Sequence, residues 1–503
     1  RREYREAREL FKAWSELRPQ ELERVLERVE LELEAGDGAA ALALLDAATG
    51  KAPPKRQDLR VLWLRSRAYG LLFQPDVQLQ EAELFRERSQ ELGAERFELL
   101  AELQRARALI RLGKSPETVR QALDRALQLA QKLEDSILQA EVWELRGRLF
   151  RRAGMGAEAE ADLQRARNEF ERVGYESAAA GIALELGNAL AEGGQLWRAK
   201  SYLEEAYERY ARVEETTPRL QAEVTLALLE ANLGDLAGSD ARYRSACTEA
   251  NKHHLVLLEG YCRFAWATVA HRRGELKQAY ESLGKARGIA ERIGDKRLLG
   301  LTSWLESELL STQGKFNEAA SRALESESFL LQAGEKRYLH WAQLALIQAK
   351  MESSRGSLEA KKMLEEFLDS LLEGESFDLS MGVPCALALR LELRFNPERF
   401  WKRQTAKILK QLEQSPEWHV RAITQLLSAE MALATKKVSL AKTLVARLKD
   451  EAEKAGARLY TLEAELLLAR AAGSEEKLLA ACRNAETLGY FAFSQRSCGD
   501  VSP

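Results

Sequence analysis

Only five cysteines and ten prolines occur in 503 residues, and neither an excess of one charge sign nor a long apolar run accompanies them. The cysteines (Cys247, Cys262, Cys385, Cys482 and Cys498) are odd in number and widely spaced, and no two form a CxxC or other close pair. That spacing predicts thiols in a reducing compartment, hence a cytoplasmic protein, and not a disulfide framework. With 75 basic against 78 acidic residues the formal charge is −3, so a bulk polyanion-binding surface is excluded and no nucleic acid partner is expected. The most apolar stretch, Leu255 to Ala270, is interrupted by Glu259 and Arg263, which falls short of the ~18 apolar residues of a membrane span, so no membrane is expected. Alternating apolar and polar residues and Asn-Gly hairpin signals are also missing, which argues against strands. The chain opens on RREYREARELFKAW, without an initiator Met and with the pattern of a helix entered midway, as expected for a piece of a longer protein.

What the chain does have is a period. Glycines close helical stretches at Gly113, Gly154, Gly194, Gly234, Gly274, Gly314 and Gly356, at intervals of 41, 40, 40, 40, 40 and 42 residues. Small residues keep the same beat at Ala126, Ala166, Ala206, Ala246, Ala286 and Ser326, and again at Ala106, Gly147, Gly187, Ala227, Ala267 and Ser307. Each unit reads as two amphipathic helices joined by glycine-bearing turns, with apolar residues at i, i+3, i+4 and i+7. The small columns let neighbouring helices approach closely. One unit cannot bury its apolar face alone, so successive units must stack. The prolines agree, since Pro19, Pro53, Pro54, Pro75, Pro116, Pro218, Pro397 and Pro416 all fall at predicted helix starts or connections. Pro384 is read as marking another helix, after the irregular GESFDLSMGV stretch.

These columns resemble the tetratricopeptide repeat. With each turn glycine set at repeat position 15, Gly187, Gly194, Ala199 and Ala206 occupy the family's small-residue positions 8, 15, 20 and 27, and Ala267, Gly274, Ala279 and Ala286 do so two units later. The units are about six residues longer than the standard repeat, and the proline after the second helix is replaced by Gly174, Gly294 or Gly334. That variant is similar to the repeats of maltose-activator-type ATP-dependent regulators, kinesin light chains and peptide-binding response-regulator phosphatases. The resemblance implies an all-α, right-handed superhelical solenoid of antiparallel helix pairs. Its regular part covers residues 93–373, between divergent helix pairs at 1–92 and 374–489, with a tail at 490–503.

In that family the first helix of each unit lines a concave groove, mainly through positions 2, 5, 9, 12 and 13. Position 5 here carries Leu103, Glu144, Leu184, Val224, Phe264 and Trp304. This column is either a groove wall or an inter-helix core, because apolar stripes serve both purposes. Position 2 adds Gln221, Tyr261 and Leu301; position 9 carries Arg107, Arg148, Asn188, Leu228, Thr268 and Glu308; position 13 carries Arg152, Glu192, Asn232, Arg272 and Thr312. As a groove, this face would bind a protein or peptide segment through Tyr261, Phe264 and Trp304, with Asn188, Gln221, Asn232 and Arg272 orienting it. No lysine stands in the position-5 column, so the chaperone-tail clamp of some family members is not expected.

Signs of chemistry are few. GKS at Gly113–Ser115 lacks the first glycine of a phosphate loop, because position 108 is alanine, and Pro116 follows at once, so it reads as a turn. Cys247, His253, His254 and Cys262 match no close zinc spacing, and no metal or cofactor is expected. The basic and aromatic run from Phe395 to Lys410 reads as an amphipathic helix before it reads as an acidic-partner patch. His271, His340 and His419 show no triad partner by order alone. The resulting expectation is a noncatalytic recognition scaffold, the sensor or interaction region of a larger signalling protein. The alternatives are a phosphatase-like regulator or enzyme with its active group in the divergent ends, or the small-molecule-sensing region of an ATP-dependent transcription regulator.

Overall fold

A computed structural model describes residues 22–50, 58–353, 356–372, 381–403 and 405–498. Every regular element among them is a helix, most of 17 or 18 residues, and consecutive helices pack as antiparallel pairs. Pro19, Pro53 and Pro54 lie outside the described residues. Pro75, Pro116 and Pro397 each occupy the first turn of a helix, and Pro384 lies in the opening turn of Gly382–Phe395. GKS is a helix start: the Ser115 hydroxyl accepts from Thr118 N–H, and Pro116 follows where its missing N–H costs nothing.

The chain forms two compact units, Arg1–Leu190 and Ala191–Pro503. In the first, Leu99, Leu103 and Ala106 pack against Val119, Ala122, Leu123 and Ala126. Charged residues on its inner helices pair with one another: Arg107 with Glu141 at 3.0 Å, and Arg148 with Glu144 at 2.8 Å and with Glu185 at 3.2 Å.

The small-residue columns are buried contacts. Ala126, Ala166, Ala206, Ala246, Ala286 and Ser326 are all fully enclosed, and a Cβ on Gly147 would lie 2.7 Å from Leu163 Cγ. The turn after each second helix holds one residue in the left-handed region. Gly174, Gly294 and Gly334 adopt it as glycines do, but Glu134, Glu214 and His254 hold the same repeat position with φ of 52°, 57° and 57°. A side chain there is strained by roughly 1–2 kcal/mol.

The second unit is not an open stack. Its first helices, Thr216–Leu233, Val256–Arg272 and Lys296–Thr312, meet Trp418–Ala434, Arg458–Ala472 and Phe491–Cys498 in the same order. Two arrays thus face each other. They share one apolar core in which Leu220, Ala227 and Trp266 pack in the same cluster as Val383, Trp418, Leu426, Tyr460 and Leu467. The turn glycines are where they touch. A Cβ on Gly194 would stand 3.1 Å from Pro416 Cγ, one on Gly234 3.0 Å from Trp418 Cγ, one on Gly274 3.0 Å from Arg458 Cβ, and one on Gly314 2.8 Å from Gln495 Oε1.

The cysteine expectation is corrected by the structure: Cys247 is joined to Cys262 and Cys482 to Cys498, leaving Cys385 free and buried. The reason is geometric. Each pair stands about equally far on either side of a helix–helix turn, at His253–Leu255 and at Leu488–Tyr490, and residues equidistant from such a turn face each other across the antiparallel pair. No helix among the described residues is long and apolar enough to cross a membrane.

Candidate functional site in the interior of the second unit

The residues expected to form a groove do not stay together. Asn188 belongs to the first unit and the other six to the second. Gln221 is exposed and Asn232 half-buried, and neither lines the two interior cavities described below. Tyr261 is engaged locally: its hydroxyl donates to Asp295 Oδ2 at 3.1 Å, and the Arg297 guanidinium sits 5.3 Å from its ring centre. Phe264 is buried in the core, its ring T-shaped against Trp304 with centroids 6.2 Å apart, so packing accounts for it. Trp304 does both jobs, since it packs in that core and lines an internal cavity together with Arg272.

That cavity measures about 120 Å³. One wall comes from positions 5, 9, 12 and 13 of two successive first helices: Thr268, His271 and Arg272, then Trp304, Glu308 and Thr312. The facing wall comes from the C-terminal array and includes Arg390, His419, Tyr460, Glu463, Phe493 and Arg496. Arg390, Glu463, Phe493 and Arg496 also line an adjoining chamber of about 990 Å³, whose other walls include Arg394, Glu430, Arg470 and Glu352.

Most charges here are matched. The Arg390 guanidinium donates through Nη2 to Glu430 Oε1 and to Glu463 Oε2, both at 2.8 Å, and Arg394 adds a bond of 2.5 Å to Glu430. Burial alone would lower the Arg390 pKa, but the two carboxylates outweigh it and hold the guanidinium above its ordinary value. Burial likewise pushes Glu430 up, yet Arg390 and Arg394 win and bring it down to about 2. Arg496 Nε lies 2.7 Å from Glu352 Oε1, but burial still lowers its pKa.

Of the remaining groups, Glu308, His271 and Trp304 are not matched. Burial, opposed only by the attraction of Arg496, raises the Glu308 carboxyl to about 7, and Glu308 makes no ion pair with any described residue. Burial and the charge of Arg272 bring His271 down to about 4, and the same causes place His419 well below its ordinary value, so both imidazoles are neutral near pH 7. His419 hydrogen-bonds the Tyr460 hydroxyl through Nδ1. His271 Nε2 and Trp304 Nε1 are buried without a hydrogen-bond partner, whereas Trp266 on the neighbouring helix donates its indole N–H to Asp240 at 2.7 Å.

Elsewhere the sequence signals resolve into structure. Cys247 and Cys262 are bonded to each other, His253 and His254 are exposed, and no described group of three or more His, Cys, Asp or Glu side chains is placed to hold a metal ion. In the basic run, Arg399 pairs with Glu365 at 2.6 Å, and Arg403 with Asp369 at 2.7 Å and Glu392 at 3.0 Å.

No protein-family model matches the sequence, and no curated protein matches it. Solved structures do. Aspartyl phosphate phosphatase F from Bacillus subtilis aligns over 68% of this chain and 92% of its own, at 12% identity and a TM-score of 0.50. The apo form of RapI is 14% identical over 66% of this chain and 98% of its own, with a TM-score of 0.48. The apo form of the quorum sensor NprR from B. thuringiensis is 12% identical over 86% and 99%, with a TM-score of 0.39. At such identities the likeness is one of fold, and it defines the class: an all-helical array of antiparallel helix pairs.

Proposed function

We propose that the chain is a noncatalytic recognition scaffold, the sensing region of a larger regulatory protein, and that it receives a short peptide in the interior of its second unit. The observation that carries this reading is the chamber of about 990 Å³, which is ligand-sized and lies between two arrays of helices. Its lining suits a peptide. Leu393, Leu433, Leu466, Leu467 and Phe493 offer apolar contact, while Arg394 and Arg470 add exposed guanidinium donors. The carboxylates Glu430, Glu463 and Glu352 are tied to arginines, and among the described residues no serine, threonine or cysteine hydrogen-bonds a histidine, so we favour recognition over the phosphatase-like alternative. The cytoplasm remains our reading of location, although the Cys247–Cys262 and Cys482–Cys498 bonds weigh against a reducing compartment.

The test is to pan a displayed library of random short peptides against the full chain and to map hydrogen–deuterium exchange with an enriched peptide. Protection should concentrate on Gly382–Phe395, Trp418–Ala434, Arg458–Ala472 and Phe491–Cys498. Protection confined to the outer second helices would refute the reading.

A further inference from the structure

The smaller cavity beside the chamber is lined by two residues that each carry a buried ring nitrogen without a hydrogen-bond partner. These are His271 and Trp304, 7% and 8% exposed, and the nitrogens are His271 Nε2 and Trp304 Nε1. A buried polar group without a partner is costly, so an arrangement that keeps two of them around one hollow points to an occupant that hydrogen-bonds. The charges are also unusual. Glu430, Glu463 and Glu352 are each ion-paired to an arginine, whereas Glu308 makes no ion pair with a described residue and feels Arg496 only as a more distant attraction. Arg272 lines the same hollow without an ion pair, and it does not pair with Glu308. Two unpaired charges of opposite sign therefore face one small space. A simple anion would sit against Glu308, and a simple cation against Arg272. A dipolar group, positive at one end and oxygen-bearing at the other, satisfies both. The aromatic walls favour the positive end, since Trp304 and Trp341 stand edge to face with centroids 5.3 Å apart and Phe493 lines the same cavity.

We propose that this cavity captures an α-ammonium group together with its adjacent carbonyl or carboxylate oxygen, the head shared by a peptide N-terminus and a free amino acid. Glu308 receives the ammonium, and Arg272 and the Trp304 N–H receive the oxygen. Leu344, Val383, Leu387, Ile423 and Leu459 supply apolar lining, with Gln348 the one uncharged amide among them, so the side chain beside the head is mainly apolar. A space of about 120 Å³ accommodates the head group and little more, and the adjoining chamber would take the rest of a peptide. This deepens the peptide reading above and rests on it for the course of the ligand beyond its first residue.

The full chain is titrated calorimetrically at pH 8 with L-leucine, L-leucinamide, the dipeptide Leu-Leu and N-acetyl-L-leucine. The ammonium-bearing probes should bind, and N-acetylleucine should bind at least tenfold more weakly. Leucinamide and Leu-Leu binding as well as leucine would identify a peptide N-terminus as the source; leucine binding tenfold better than either would identify a free amino acid. Glu308→Gln should weaken every ammonium probe at least tenfold. Should that variant fail to fold, the acetylated and free probes on the wild-type chain decide alone. N-acetylleucine binding as tightly as leucine, an unchanged affinity in the folded Glu308→Gln variant, or no binding by any probe would each overturn the proposal; in the last case ordered water fills the hollow. The two readings fail separately. A library peptide that protects the chamber but binds equally well when N-acetylated removes the ammonium pocket and leaves peptide recognition standing, whereas protection elsewhere removes the peptide reading itself.

Discussion

Replacing Glu308 by glutamine should stabilise the second unit at pH 8 and do so much less at pH 5. Burial raises the Glu308 carboxyl from its ordinary 4.5 to about 7, against the pull of Arg496. Folding therefore favours the protonated form. A carboxyl raised in this way contributes stability that is fully present below 4.5 and is lost as pH climbs through 7. Glutamine mimics the protonated acid and does not titrate, so the advantage of the variant should open between these values and level off above them. Each unit of pKa difference is worth about 1.4 kcal/mol, which sets a ceiling of about 3 kcal/mol. Part of the Glu308 surface is open to the cavity, and water there would lessen the effect, so about 1–2 kcal/mol is expected. The groups lining the same space (His271, Arg272, Arg390, His419, Tyr460, Glu463 and Arg496) are common to both proteins. His271 and His419, whose folded pKa values are depressed, lose stability as pH falls below their ordinary 6.5, and to first order this cancels in the difference. Urea denaturation followed by tryptophan fluorescence and circular dichroism at pH 5, 6, 7 and 8 measures it. A constant gap between variant and wild type at every pH, or a gap that closes as pH rises, would refute the assignment of Glu308 as a buried, unpaired acid.

Three further outcomes are expected. Ala206→Leu and Ala286→Leu should each lose about 1–3 kcal/mol through overpacking, and Glu204→Leu on the outer surface of the same pair should be nearly silent; denaturation midpoints decide. Gly294→Ala, where nothing stands within reach of a Cβ, should cost about 1 kcal/mol for its left-handed backbone, whereas Gly274→Ala should cost at least about 2 kcal/mol because Arg458 lies against it. His254→Gly should stabilise by up to about 1 kcal/mol, because it relieves a left-handed side chain in an exposed turn; a lower thermal midpoint would contradict that.

Much of this fold was legible because repeats repeat. The glycine and alanine columns mark turns and close contacts, and each has the same physical cause in every unit. The inner-face positions were also readable in part: Thr268, Arg272, Glu308 and Thr312 occupy positions 9 and 13, and all four line the cavity. The facing wall was not legible. Arg390, His419, Tyr460, Glu463, Phe493 and Arg496 come from the stretch where the register slips, and no local pattern ties Gly274 to Arg458 or Lys296–Thr312 to Phe491–Cys498. The left-handed positions at Glu134, Glu214 and His254 were hidden because their residue types do not announce that backbone. The cysteine pairs carried a usable signal, their symmetry about a turn, which a search for closely spaced motifs overlooks.

The contacts at the turn glycines also bear on how such a chain can change over time. In an ordinary solenoid each repeat touches only its neighbours, so one can be duplicated or deleted with little more than a change of length. Here Gly234, Gly274 and Gly314 are occupied by Trp418, Arg458 and Gln495 of the opposite array. Duplicating one forty-residue repeat between residues 216 and 312 would slide each later glycine past its occupant and part the walls that hold Glu308 opposite Arg496. Only a matching insertion between 418 and 491 would restore the alignment. Repeat number in this unit is therefore inherited as a pair or not at all, and the dimensions of the interior are inherited with it.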